Sequence, residues 1–145
     1  MIKQKLDISQ MSNDYFDETF ILGIMAPIKN YYFVWMLNNF LDFDFSLSTE
    51  SNIELHKKNR IYRFNLYKAV QPDLNLVHLL FHNQFEGEAL LPELKHFDFI
   101  WLIKGNGMQN ELGTAILEQI KPLNQVQLVT EIVPDQIKNI SNLII

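Results

Sequence analysis

Short apolar runs and longer segments of helical periodicity alternate along the chain. Residues 19–25, "TFILGIM", form an apolar run of strand length that predicts a buried strand. Residues 97–105, "FDFIWLIKG", are apolar almost without interruption, which predicts a central strand covered on both faces. Residues 126–132 predict a further strand, and residues 3–8 predict a short strand at the edge of the sheet.

Two segments predict helices. Residues 30–41, "NYYFVWMLNNFL", are apolar around nearly the whole helical circumference, with Asn30 as the expected N-cap. We expect this helix to be covered by the sheet and also by a second element or subunit. Residues 111–122 predict an amphipathic helix capped by Asn110, in which Gly113 costs about 1 kcal/mol relative to alanine. The apolar stripe of this second helix consists of Met108, Leu112, Ala115, Ile116 and Ile120.

The middle of the chain predicts a β-hairpin. Residues 61–70 alternate between apolar and polar positions, and the turn-forming sequence "QPD" joins them to the apolar residues 74–82. Residues 42–48 alternate in the same way and predict a strand. Residues 49–59 and 83–89 are rich in polar residues and predict loops.

These elements form two strand–helix–strand units joined through a hairpin. That order favours an α+β fold, a two-layer sandwich in which two main helices cover one face of a largely antiparallel sheet. The ferredoxin-like and ACT-like topologies are both forms of this arrangement. Because the chain has 145 residues and no linker-like segment, we expect one domain, residues 1–145.

The composition is that of a globular protein. Hydrophobic residues make up 48% of the chain and charged residues 20%, which argues against disorder. There is no cysteine, which fits a reducing compartment. The N-terminal residues do not resemble a signal peptide, and no apolar run approaches the roughly 20 residues that span a bilayer. We therefore expect a cytoplasmic protein with no membrane association.

Charge and histidine spacing exclude two kinds of site. A formal net charge of −5 disfavours binding to nucleic acid, and the basic cluster "HKKNR", residues 56–60, is expected to be a solvated loop. His78 and His82 would stand roughly 13 Å apart on a strand, too far to share one metal ion. We therefore expect solvent-facing histidines and neither a metal site nor a cofactor.

The segment "LPELKHFDF" carries the acidic residues of most interest. Pro92 suits the first position of a helical turn, and Glu93 is favourable near its N-terminus. Asp98 lies between two phenylalanines and is predicted to point away from both. A buried Asp98 needs hydrogen-bond donors, for which Arg60, Arg63 and the N–H groups of the turn are candidates. We expect a structural role for Asp98, with ligand binding and catalysis as the alternatives.

Two asparagines and one glycine-containing turn are further candidates. Asn38 ends the apolar face of the first helix and Asn83 follows the hairpin, and each is expected to satisfy nearby backbone groups. Lys104, Gly105 and Gly107 lie in "KGNG", between a strand and a helix, which suits an anion-binding turn. Because the glycine pattern of nucleotide-binding loops is missing, a simple glycine turn is the favoured interpretation.

Taken together, these segments resemble the IPExxxVDY family, small bacterial proteins of the Bacteroidetes. Residues 91–93 correspond to I-P-E, and residues 97–99 correspond to V-D-Y without the tyrosine hydroxyl. "FVWMLNNFL" places Trp35 and Asn38 on the family's helix positions, and "HN" at residues 82–83 resembles its S-N. "FILGI", "LIKG" and "NLII" extend the match in order over nearly the whole chain.

The resemblance implies no activity, substrate or cofactor, although it ranks Asn38, Glu93 and Asp98 as positions of interest. The apolar first helix favours a non-enzymatic protein that binds a protein partner or itself, with a homodimer as the default form. The alternative is a small-molecule-binding regulatory domain of the ACT-like type. An enzyme is the third hypothesis, and it requires Glu93, Asp98 and a histidine in one cleft.

Overall fold

The computed structural model describes residues 15–49, 53–105 and 110–145. They form an α+β sandwich, which confirms the predicted fold class, and the strand expected at residues 3–8 lies outside them. The helices are α1 (Asn30–Phe40) and α2 (Asn110–Ile120). The strands are β1 (Thr19–Met25), β2 (Ser46–Leu47), β3 (Ile53–Lys57), β4 (Arg60–Phe64), β5 (Leu66–Gln71), β6 (Leu76–His82), β7 (Gln84–Phe85), β8 (Glu88–Ala89), β9 (Phe99–Gly105) and β10 (Leu128–Glu131).

The main sheet has six strands in the order β10-β1-β9-β6-β5-β2, and every neighbouring pair is antiparallel. The central order β10-β1-β9-β6, with α1 after β1 and α2 after β9, is the ferredoxin-like topology. Because β1 and β6 are both antiparallel to β9, the C-terminal ends of β1 and β6 lie beside the N-terminal end of β9, at the same end of the sheet.

Both helices pack on one face of the sheet. Phe33 of α1 stacks on Phe99 of β9 with ring centroids 4.4 Å apart. A β-carbon at Gly113 of α2 would overlap the ring of Phe20, so only glycine lets this helix approach the sheet so closely. The helix cost of Gly113 is therefore offset by packing on β1.

The opposite face of the sheet is covered as well, by residues outside α1 and α2. Its cover consists of the β3–β4 hairpin, the segment before β9 and the C-terminal residues, and it buries a second apolar cluster. Within β9, alternate residues belong to the two clusters, so the prediction of a central strand covered on both faces is confirmed.

Several predicted boundaries were wrong in the middle of the chain. The loop expected at residues 49–59 contains β3, because Lys58 and Asn59 both adopt positive φ and form a tight two-residue turn into β4. The strand expected at residues 61–70 is interrupted at Asn65, where the chain passes from this hairpin into the main sheet. The other differences are that residues 42–48 form only β2, that residues 83–89 contain β7 and β8, and that Lys29, not Asn30, is the N-cap of α1.

The prediction that His78 faces solvent was wrong. It is fully buried on the helix side of β6, where its Nδ1 accepts the indole N–H of Trp101 at 3.0 Å. Its Nε2 lies 2.7 Å from Oε1 of Gln71, so the proton is on Nε2 and both ring nitrogens are bonded. Burial lowers the pKa of His78 from 6.5 to about 4.

We predict that the free energy of unfolding falls at acidic pH because His78 is buried in its neutral form. Because its pKa is lower in the folded protein, the unfolded chain binds a proton at pH values where the folded protein does not. The stabilisation is complete above pH 6.5 and is lost as the pH falls to about 4, where the free energy of unfolding is lower by about 3 kcal/mol. Urea unfolding at a series of pH values measures this.

The matched controls are His78→Gln and His56→Gln. His78→Gln cannot titrate and should lose this part of the pH dependence, whatever its absolute stability. His56 is exposed, so His56→Gln should keep the wild-type dependence. Parallel stability curves for wild type and His78→Gln between pH 6.5 and 4 would contradict the assignment.

Candidate functional site

The segment before β9 is tied to the C-terminal residues through Glu93. Pro92–Leu94 form a 3₁₀ helix with Pro92 at its start, as predicted. Glu93 accepts hydrogen bonds from the backbone N–H of Asn139 at 2.9 Å and from its side-chain amide at 2.7 Å. Burial opposes ionisation of Glu93, but the Asn139 hydrogen bonds and the charge of Lys138 outweigh it and hold the pKa below its ordinary value.

Asn83 supports the same segment from the end of β6. It is fully buried, and its amide nitrogen donates to the carbonyl oxygens of Leu94 and Phe97, each at 3.0 Å. Its amide oxygen accepts the N–H of Leu91 at 2.9 Å. One side chain therefore satisfies three backbone groups, which confirms the role predicted for Asn83.

Asp98 fastens the start of β9 to the end of β1. Its Oδ2 accepts the backbone N–H of Ala26 at 2.8 Å, and its own N–H donates to the carbonyl of Ile24 at 2.9 Å. Its carbonyl oxygen accepts the N–H of Asn83 at 2.9 Å. Asp98 thus joins β1, β6 and β9 at the end of the sheet where the C-terminal ends of β1 and β6 lie beside the start of β9.

Two details of the Asp98 prediction were wrong. Arg60 and Arg63 do not serve as donors, because both form ion pairs with glutamates of the β3–β4 hairpin and the β7–β8 turn. Phe97 and Phe99 do not share a face either, since they belong to different apolar clusters. The alternation fails because β9 begins only at Phe99, so Asp98 is the last residue of the preceding turn.

At this end of the sheet, on the face that carries the helices, Asp98 borders an open cleft of about 770 Å³. That volume is in the range of roughly 300–1,000 Å³ that small-molecule sites occupy. The loop between β1 and α1, the start of α1, the end of β6, the start of β7 and the residue before β9 supply its walls. The lining residues are Pro27, Ile28, Lys29, Asn30, Tyr31, Tyr32, His82, Gln84 and Asp98.

His82 stands on the floor of this cleft. It pairs with Phe99 in the β6–β9 ladder, and the two rings lie 5.2 Å apart. Burial lowers the pKa of His82, and the nearby charge of Asp98 opposes this only in part, so the neutral imidazole is favoured. The floor of the cleft is therefore uncharged and its one carboxylate lies beside it.

Two amides on the wall have a defined orientation. Asn30 donates through Nδ2 to the hydroxyl of Tyr67 at 3.0 Å, and Gln84 donates through Nε2 to the carbonyl of Lys95 at 2.7 Å. Each amide oxygen is then an acceptor available to a ligand. Lys29, at the N-cap of α1, makes no side-chain capping bond, and the first turn of α1 contains no acidic residue.

The remaining candidate residues lie elsewhere. Asn38 exchanges two hydrogen bonds with the backbone of Phe45, at 2.8 and 3.0 Å, which confirms its predicted backbone role. The ammonium group of Lys104 lies 3.5 Å from the ring centroid of Tyr15. Gly105 ends β9, and Gly107 lies outside the described residues, so the anion-binding turn stays a prediction.

The structure thus brings Asp98, Asn83 and His82 together and holds Glu93 apart. Glu93 is bonded to Asn139 on the other side of the sheet, so the convergence of Glu93, Asp98 and a histidine required by the enzyme hypothesis does not occur. Sequence reasoning missed the contribution of residues 27–32. The signal that places them beside Asp98 is the strand order, because β1 and β6 must end where β9 begins.

Residues 15–49, 53–105 and 110–145 contain no group of three or more histidine, aspartate or glutamate side chains able to hold a metal ion. None of the helices in these ranges combines the length and apolar composition that a membrane crossing requires. Comparison with known proteins found neither a family model nor a curated protein that matches the chain.

We predict that Asn83→Ala destabilises the fold by about 3 kcal/mol, because it leaves the N–H of Leu91 and the carbonyl of Phe97 without partners and removes one of two hydrogen bonds to the carbonyl of Leu94. Urea unfolding measures the loss. Asn39→Ala is the matched control, since Asn39 is exposed and bonds only within α1, to the carbonyl of Trp35. Equal stabilities for the two variants would show that the Asn83 hydrogen bonds do not hold the segment.

Proposed function

We propose that the chain is a non-enzymatic, cytoplasmic interaction module that pairs with a second copy of itself through the exposed face of α1. The observation that carries this proposal is a set of aromatic side chains on one side of that helix. Tyr31 is 66% exposed, Trp35 is 49% exposed and Phe40 is 60% exposed. We call Tyr31, Tyr32, Trp35 and Phe40 the aromatic face.

The aromatic face is arranged as a continuous surface. Trp35 stacks on Tyr32 at 5.8 Å and meets Phe40 edge-on at 5.6 Å. The buried side of α1 already covers the sheet through other residues, so these rings contribute little to the core. Contiguous exposed apolar surface of this kind marks interaction sites, and tryptophan and tyrosine are the residues that dominate interface energies.

Charge favours a second copy as the partner. The chain carries a formal net charge of −5, so two copies repel each other over most orientations. α1 contains no charged residue from Asn30 to Phe40, so two copies can approach there with the least repulsion. A two-fold axis across the helix would place the same patch on both sides of the interface. The aromatic face would then form the centre of an interface of about 800 Å² per partner.

We also propose membership of the IPExxxVDY family, and the geometry supports a division of roles among the residues that carry the resemblance. Asn38, Glu93 and Asp98 each bond to backbone groups and hold the fold together. Trp35, in contrast, is half exposed and bonds to nothing beneath it. Its position on the surface supports a role in binding.

We predict that wild-type protein dimerises at micromolar concentration and that Trp35→Gln weakens the dimer at least about tenfold, because an interface anchor contributes more than 1.4 kcal/mol. Sedimentation equilibrium measures the association. Leu128→Gln is the matched control, since Leu128 is 46% exposed but lies on β10, at one edge of the sheet.

Fluorescence provides an independent measurement. The chain has two tryptophans, and Trp101 is fully buried, so acrylamide quenching reports on Trp35. Quenching should fall as protein concentration rises if α1 is the interface. A wild-type protein that stays monomeric at about 100 μM would overturn the proposal, because a standard-size specific interface binds more tightly than this. Equal effects of Trp35→Gln and Leu128→Gln would also overturn it.

A further inference from the structure

We propose that the cleft beside Asp98 binds a small zwitterion, an α-amino acid with an apolar side chain. Asp98 is the acidic residue and Lys29 the basic residue among those that line the cleft. Neither forms an ion pair with another described residue, so both charges are available to a ligand. This proposal concerns a different ligand from the pairing of two copies proposed above, although the two sites share Tyr31 and Tyr32.

The pair of opposite charges selects against ligands with a single charge. A cation attracted by Asp98 meets the charge of Lys29 and the positive end of α1, which no acidic residue of its first turn offsets. An anion attracted by Lys29 meets the carboxylate of Asp98. A ligand with an ammonium and a carboxylate group on one carbon satisfies both, because each group pairs with the opposite charge.

The hydrogen-bonding atoms match an ammonium group in particular. An ammonium group has three donors and no acceptor. The wall beside Asp98 offers the carboxylate itself and the amide oxygen of Gln84, whose nitrogen is already bonded to the carbonyl of Lys95. Asn30 offers a further amide oxygen for the same reason, since its nitrogen is bonded to Tyr67. Asp98, Gln84 and Asn30 therefore contribute three side chains with oxygen acceptors to the lining of the cleft.

The remaining lining residues suit an apolar side chain. Pro27 and Ile28 belong to the loop before α1, and Tyr31 and Tyr32 present aromatic rings at its first turn. The imidazole of His82 is held neutral by burial and adds a flat, uncharged surface. An aliphatic or aromatic side chain has contacts on these surfaces, whereas a second charged group has no partner there.

Three probes that differ only in their charged groups test the proposal: L-phenylalanine, 2-phenylethylamine and 3-phenylpropanoate. At about pH 7 the first carries both charges, the second only the ammonium and the third only the carboxylate. Isothermal titration calorimetry on the full chain should give L-phenylalanine an affinity at least about tenfold above either analogue. A thermal-shift screen of the twenty L-amino acids identifies the preferred side chain.

Two substitutions test the roles of Asp98 and Lys29 in binding. Each has a control substitution elsewhere that changes the net charge by the same amount. Asp98→Asn keeps an oxygen to accept the Ala26 N–H and should weaken L-phenylalanine at least about tenfold while leaving 3-phenylpropanoate unchanged or tighter. Lys29→Met should weaken L-phenylalanine and leave 2-phenylethylamine unchanged or tighter. Asp44→Asn and Lys121→Met alter exposed residues outside the cleft and should change none of the three affinities.

Either of two results overturns the proposal. One is the absence of a thermal shift with every one of the twenty amino acids at about 10 mM, because a ligand at that concentration stabilises any folded state that binds it in the millimolar range. The other is equal affinity for the three probes, or equal effects of Asp98→Asn and Asp44→Asn. Dimerisation measured with Trp35→Gln is unaffected by these results, so the two proposals fail independently.

Discussion

A buried chain segment without regular secondary structure must find partners for its backbone groups, and Asn83 supplies them for the segment that leads into β9. Its three hydrogen bonds hold Leu91, Leu94 and Phe97 in place under the sheet. An unsatisfied buried group costs about 1–3 kcal/mol, and Asn83 is the partner of two such groups, the N–H of Leu91 and the carbonyl of Phe97, so its loss outweighs that of most single apolar contacts. The position of β9, at the centre of the sheet, and the second apolar cluster, on the face opposite the helices, both depend on this side chain.

The cleft lies at the same end of the sheet as Asn83, on the opposite face, because side chains alternate between the two faces along a strand. His82 and Asn83 are neighbours at the end of β6 and point to opposite faces. Asn83 therefore supports the segment on the face opposite the helices, while His82 forms the floor of the cleft on the helix side. Asp98 combines both roles within one carboxyl group, since Oδ2 fixes Ala26 and the group also borders the cleft. Structural and ligand-binding interpretations of Asp98 are consequently not alternatives.

The sequence predicted what depends on local pattern and missed what depends on pairing. The bounds of β1 agree with the structure and those of α1 agree within one residue, because burial sets their patterns, and the predicted turn at "QPD" joins β5 to β6 although the strand before it was predicted too long. β3 was missed because the turn at residues 58–59 uses positive φ in a lysine, which carries no turn signal. The burial of His78 was missed because its partner, Trp101, lies 23 positions away in a neighbouring strand. The cleft was missed because it requires the strand order.

Tyr31 and Tyr32 belong both to the aromatic face and to the lining of the cleft, so the proposed pairing and the proposed ligand binding would be thermodynamically coupled. A ligand that contacts these rings changes the surface that a second copy must meet, and pairing of two copies changes the wall that the ligand must contact. By linkage, the factor by which the ligand alters dimer affinity equals the factor by which dimerisation alters ligand affinity. Trp35 and Phe40 lie farther along α1 and do not line the cleft, so substitutions there act directly on the proposed pairing and reach the cleft only through the contact between Trp35 and Tyr32. Substitutions at Tyr31 or Tyr32 act on both equilibria, and their effects measure the coupling between them.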